Sequence, residues 1–157
     1  MRAKSNKGGL NPAVFFVDRC LGQEKVVQAI AATGVRVERH DDHFQQGAPD
    51  TEWLAFVGQR GWVALSKDNK VRYRDTERAA VISAKVAYFI FRGLNMRGDE
   101  IGAVLAKALP AIQRVLKKNQ RPFIATISRN GEVKVIDTCQ TASSERRTRA
   151  EVVSTGA

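Results

Sequence analysis

The sequence predicts an α/β fold, a single-domain three-layer sandwich with a mostly parallel sheet of about five strands and an antiparallel edge hairpin. Three observations carry this expectation. The runs AVFFV (13–17), WVALS (62–66) and VAYFIF (86–91) are short, apolar and without alternation, as strands buried on both faces are. The segments between them carry apolar residues at helical spacing. Asn130-Gly131 stands between two further apolar runs, which is a hairpin signal. Strands that alternate with helices put helices on both faces of a parallel sheet.

The elements follow in order. The first run closes on Asp18. QEKVVQAIAAT (23–33) is a helix with Val26, Val27, Ile30 and Ala31 on one face, and Gly34 sits where a C-terminal cap belongs. VRVER (35–39) is a second short strand, and the polar stretch from His40 to Pro49 is a loop. Asp50 opens the helix TEWLAFVGQR (51–60), on which Trp53, Leu54 and Val57 share a face; Gly61 ends it. WVALS is the third strand and runs into Lys67-Asp68. A basic segment leads to Thr76-Glu77 and the helix RAAVISAK (78–85), and VAYFIF is the fourth strand. The next helix has an unbroken stripe of Ile101, Val104, Leu105, Ala108, Leu109, Ile112, Val115 and Leu116. Asp99 and Glu100 at its start and Lys117 and Lys118 at its end suit the macrodipole. Pro110 is expected to kink or restart it. PFIATIS (122–128) and EVKVI (132–136) form the hairpin. The expected organisation is a flexible segment over 1–12, one domain over 13–137, and a polar, aperiodic and disordered tail over 138–157.

Composition narrows the function. A chain of 157 residues buries one core. No apolar run reaches the roughly 18 residues a membrane-spanning helix needs, so no membrane partner is expected. The basic first residues lead into a short apolar stretch cut off by Asp18-Arg19, without a small-residue cleavage site, which argues against a secretory signal. Cys20 and Cys139 are too few for a disulfide framework or a zinc site and read as reduced thiols of a cytoplasmic protein. The net charge is +10, of which residues 1–9 carry +3 and residues 140–157 carry +1, leaving +6 on the body. A folded body this basic favours a polyanion, and nucleic acid is the usual one. The phosphate-loop, dinucleotide-binding and serine-hydrolase signatures are absent.

The acids carry the chemistry. In open α/β sheets, ligands bind at the carboxyl ends of the strands, where strand order reverses. Asp18 closes the first strand, Asp68 nearly closes the third, and Asp50 starts a helix that runs back from the same edge. The three can therefore meet at one rim. Mg²⁺ or Mn²⁺ takes such oxygen ligands and completes its shell with water and substrate phosphates. Each acid also has a structural reading: Asp50 as a helix N-cap, Asp68 as a turn residue. Glu52 and Glu77 are candidates for a fourth carboxylate, or else first-turn acids favoured by the helix dipole. Lys67, Lys70, Arg72, Arg74 and Arg78 form a basic strip beside these acids, fit to contact phosphates, with Tyr73 among them to stack on a base. His40-Asp41-Asp42-His43 has the look of a metal cluster but reads as a solvated turn.

On FFVDRCLG (15–22), GAPDTEWLAFVGQRGWVALSKD (47–68) and Arg72-Tyr-Arg-Asp-Thr-Glu77, the chain resembles the PIN-like family that includes VapC-type toxin ribonucleases. The resemblance covers Phe15 to about Phe91. It implies a magnesium-dependent endoribonuclease, often half of a toxin–antitoxin pair, with RNA as substrate and an antitoxin protein as partner, and it leaves a homodimer open. By position it makes Asp18, Asp50 and Asp68 the metal ligands. Two other classes stay in view: a non-catalytic module that binds nucleic acid or a partner, and a receiver-like signalling domain phosphorylated on an aspartate.

Overall fold

A computed structural model describes residues 13–21 and 23–139. The expected flexible start and most of the expected tail lie outside these residues. Six strands form one sheet: β1 (Val14–Val17), β2 (Arg36–Arg39), β3 (Val63–Ser66), β4 (Ala87–Phe91), β5 (Phe123–Ile127) and β6 (Val133–Asp137). Their order is β2-β1-β3-β4-β5-β6. All neighbours pair in parallel except β5 and β6, which are antiparallel. The fold is thus the α/β sandwich expected, and its six strands fall on the six runs named from the sequence.

The period of two along a strand sorts side chains to opposite faces, and it builds the three layers. Phe15 and Val17 of β1, Val63 and Leu65 of β3, and Phe89 and Phe91 of β4 enter one core with Val26 and Ile30 of α1 (Glu24–Ala31) and Ile101, Leu105 and Ile112 of α4 (Gly98–Lys118). Phe16, Ala64 and Tyr88 enter the other with Trp53, Leu54 and Val57 of α2 (Asp50–Arg60) and Val81 of α3 (Asp75–Ala84). The central strands β3, β4 and β5 are buried throughout, while the edge strands β2 and β6 are mostly half-buried. The helix pairs pack closely. A Cβ at Gly102 of α4 would stand 2.7 Å from that of Ala29 on α1, and one at Gly58 of α2 would fall on the Ala84 carbonyl oxygen of α3.

Two local expectations are refined. Pro110 does not restart α4, which runs unbroken from Gly98 to Lys118. The proline is on the exposed side, where water can take the carbonyl it leaves without a partner. The hairpin falls where Asn130-Gly131 placed it, but only Gly131 takes a positive φ, of 91°. Ser128 closes this turn: its backbone N–H donates to the Glu132 carbonyl at 2.8 Å, and its hydroxyl accepts the Asn130 and Glu132 N–H groups at 3.1 Å each. Beyond β6, Cys139 is buried among the α2–α3-side core residues. Burial and the neighbouring Asp137 push its thiol up to about 12.

Arg78 of the basic strip serves the fold. Its Nε and Nη2 donate to the two oxygens of Asp137 at 2.7 and 3.1 Å, tying α3 to β6. Arg78→Ala should therefore cost about 1–2 kcal/mol. The Arg78 guanidinium holds the Asp137 carboxyl below its ordinary value. A depressed carboxyl stabilises the fold above its unfolded pKa, and that contribution is lost as pH falls through the folded pKa. Urea midpoints of the two proteins should thus differ at pH 7 and converge in acid. A gap that holds constant below about pH 3 would contradict this pairing.

Candidate metal and nucleic-acid site

Strand order reverses at β1, whose neighbours β2 and β3 lead in opposite directions, so a crevice opens at the carboxyl ends of β1 and β3. A cleft of about 350 Å³ lies there, and Asp18, Asp50 and Asp68 all line it, together with Arg19, Cys20, His40, Trp53 and Lys67. Register explains the meeting. Asp18 shares its face of the sheet with Phe16, and Ser66 shares it with Ala64; this is the face that α2 covers.

Each acid is held differently. Asp18, only 9% exposed, accepts the Arg19 N–H on Oδ1 at 2.7 Å and the Ser66 hydroxyl on Oδ2 at 2.8 Å. Burial, opposed by these hydrogen bonds and aided by the negative charge of Asp50, raises its carboxyl above the usual range. Asp68 Oδ1 accepts the Lys70 N–H at 2.9 Å, so the turn role is real. Its own N–H donates to Ser66 Oγ at 2.9 Å, which links Asp68 to Asp18 through one hydroxyl. Asp50 is not a side-chain cap. The N-cap position falls on Pro49, and Asp50 Oδ1 accepts the Trp53 indole N–H at 3.0 Å instead. That bond, one helical turn long, fixes the carboxylate over the cleft.

Glu52 and Glu77 do not line the cleft. Glu52 is exposed on α2. Glu77 is half-buried, lies 3.9 Å from Arg74, and keeps one buried oxygen without a hydrogen-bond partner. In the basic strip, Lys70 stands 3.7 Å from Asp68, and the Arg72 guanidinium lies 5.4 Å from the ring of Tyr73, which is 70% exposed.

Sequence reasoning missed the groups beneath the acids. Ser66 is fully buried, and so is the Tyr88 side chain; burial first, and then the charges of the three acids, push the Tyr88 phenol well above its ordinary value. Cys20 Sγ sits 3.5 Å from Asp18 Oδ2 and accepts the Lys67 N–H at 3.4 Å, and burial of the sulfur raises its thiol. A serine at the end of an otherwise apolar strand was the available signal. His40 is not a solvated turn residue. It is buried, faces the cleft, and packs edge-on to Phe16 and Trp53. Its loop folds as a short 3₁₀ turn, and the His43 ring is 2.8 Å from Glu38, so the two histidines serve different neighbours.

Among the described residues, no group of three or more His, Cys, Asp or Glu side chains is drawn tightly enough to hold a metal by itself. The donors around the cleft nevertheless fit a hard cation. They are carboxylate oxygens, one of them already strained by a like charge, and Mg²⁺ or Mn²⁺ needs only one or two of these beside water and phosphate oxygens. No helix among the described residues is long and apolar enough to cross a membrane.

The arrangement defines a class of α/β domain with a carboxylate-walled cleft at the switch point of a parallel sheet. The chain belongs to the PIN-like domain family, whose description as a PIN like domain matches residues 13–93. That span holds all three cleft acids and ends after β4. The chain is also 28% identical over 125 residues to "Putative ribonuclease VapC45" of Mycobacterium tuberculosis (strain ATCC 25618 / H37Rv), covering 77% of this chain and 90% of that protein. No solved structure matches it.

Proposed function

We propose that this protein is a Mg²⁺- or Mn²⁺-dependent endoribonuclease of the cytoplasm and the toxin of a toxin–antitoxin pair. The observation that carries this reading is the convergence on one cleft of three acids, from the residue after β1, the start of α2 and the turn after β3. Family membership and the ribonuclease relative support it. Asp18, Asp50 and Asp68 would hold the ion, which when bound lowers the pKa of a water and offsets charge at the phosphodiester. Ser66 fixes the rotamer of Asp18 and the turn of Asp68 together. Trp53 fixes Asp50, and Lys67, at the cleft wall, brings a cation to the substrate phosphate. Glu52 and Glu77 stand outside this lining and would act only through water or a bound RNA.

The purified chain should cut structured RNA internally with added Mg²⁺ or Mn²⁺, stop in EDTA, and recover when the metal is returned. RNA binding without any metal-stimulated cutting would make the domain a non-catalytic binding module.

A further inference from the structure

Most of the sequence-predicted basic strip is engaged at short range. Lys70 faces Asp68, Arg74 faces Glu77, and Arg78 is bonded to Asp137. A phosphate approaching them competes with a carboxylate already in place. Along the same rim, the carboxyl ends of three adjacent parallel strands each bear one cation that has no carboxylate partner among the described residues. Lys67 follows β3 directly, Arg92 follows β4 directly, and Arg129 lies two residues beyond β5. Neighbouring strands lie about 4.8 Å apart, so the three positions follow one another along the rim, each one residue further out than the last, away from the cleft that Lys67 lines.

The segment between β4 and α4 is tied down by hydrogen bonds and close packing. The Arg92 N–H donates to the Ile127 carbonyl at 2.9 Å, and Arg129 Nη1 donates to the Leu94 carbonyl at 3.5 Å, which couples the two arginine-bearing loops. Gly93 is buried, and a Cβ there would fall on Met96 Sδ and the Phe91 ring. The Arg97 N–H donates to Glu100 Oε1 at 2.8 Å and closes the segment onto α4. Leu94, two residues after Arg92 and with its carbonyl on the Arg129 guanidinium, is left 71% exposed. One exposed leucine is ordinary on a protein surface; in the loop that carries Arg92 and touches Arg129, it offers an apolar contact to a ribose or base.

We propose that the ends of β3, β4 and β5 form a phosphate track for single-stranded RNA, with Lys67, Arg92 and Arg129 as its cations, leading from the acidic cleft toward the hairpin. The proposal rests on the nuclease reading of that cleft. RNA is the occupant because the row of cations is continuous with the site of phosphodiester chemistry, and cations that meet phosphates bind a backbone without reading bases.

The test is fluorescence anisotropy with a labelled single-stranded RNA, in an Asp68→Asn background that prevents cutting. Arg92→Ala/Arg129→Ala should weaken binding on the order of tenfold near 0.1 M salt and flatten the salt dependence by about 1.4, at about 0.7 per lost contact. Arg92→Lys/Arg129→Lys should keep the slope. Lys117→Ala/Lys118→Ala, at the far end of α4, should change it less and controls for net charge. A double-alanine variant that folds, by circular dichroism, yet keeps affinity and slope overturns the track while leaving cleavage by the unaltered chain intact. So does a variant that keeps RNA but loses poly-L-glutamate, which would assign the surface to an acidic protein segment. Failure of the unaltered chain to cut RNA would instead remove the nuclease reading on which the track depends.

Discussion

Asp68→Asn is expected to lower metal-dependent RNA cleavage by at least about a hundredfold while leaving the thermal midpoint nearly unchanged or slightly raised. The substitution is clean because the turn survives it. Asp68 Oδ1 accepts the Lys70 N–H, and an asparagine carbonyl can accept the same bond. Only the negative charge is lost. In the free protein that charge faces Asp18 and Asp50 across one cleft, so its removal relieves repulsion and gives up a 3.7 Å contact with the half-exposed Lys70, itself worth little. Cleavage rates and a thermal melt on the same preparation provide the check. Undiminished cleavage would count decisively against Asp68 as a ligand, and a large fall in the midpoint would make it a structural residue instead.

Trp53→Ala should have the largest effect on stability, about 3–5 kcal/mol, equivalent to a fall of roughly 10 °C in Tm for a domain of this size. Trp53 is 1% exposed, stacked on Phe16 at 5.4 Å between centroids and on Tyr88 at 6.3 Å, so alanine leaves a cavity at the centre of the α2-side core. Trp53→Phe separates packing from tethering. It keeps most of the ring volume but removes the indole N–H that holds Asp50. Its stability cost should be nearer 1–2 kcal/mol, with cleavage falling more than stability does. Urea unfolding of both variants beside their cleavage rates decides this. Equal activity in Trp53→Phe and the unaltered chain would mean that Asp50 needs no tether.

Hydrogen bonding and burial in the α2-side layer set the limits of what could be read from the chain. The strand runs VFFV, VALS and AYFIF were legible because strands buried on both faces must be apolar at every position, and β1, β3 and β4 occupy those places. The helix of residues 98–118 was legible from its stripe, although the proline inside it overstated the break. The acids were legible as candidates because an acid that ends a buried strand has few other reasons to be there. The cysteine and histidine beside them were not, since a lone Cys20 or His40 carries no periodic signal.

By itself, the sequence determined the order of strands and helices, the sheet's mixed character, the family, and which acids sit at element ends. It did so because periodicity, turn chemistry and strand-end position are local properties. Only the tertiary structure decided which charges have partners. Ion pairs such as Arg78 with Asp137 join residues far apart in the chain, and the cations beyond β3, β4 and β5 become neighbours only when the strands align. A run of basic residues in sequence therefore says how much charge is present, while the surrounding carboxylates and the strand spacing decide how much of it is free to meet a phosphate.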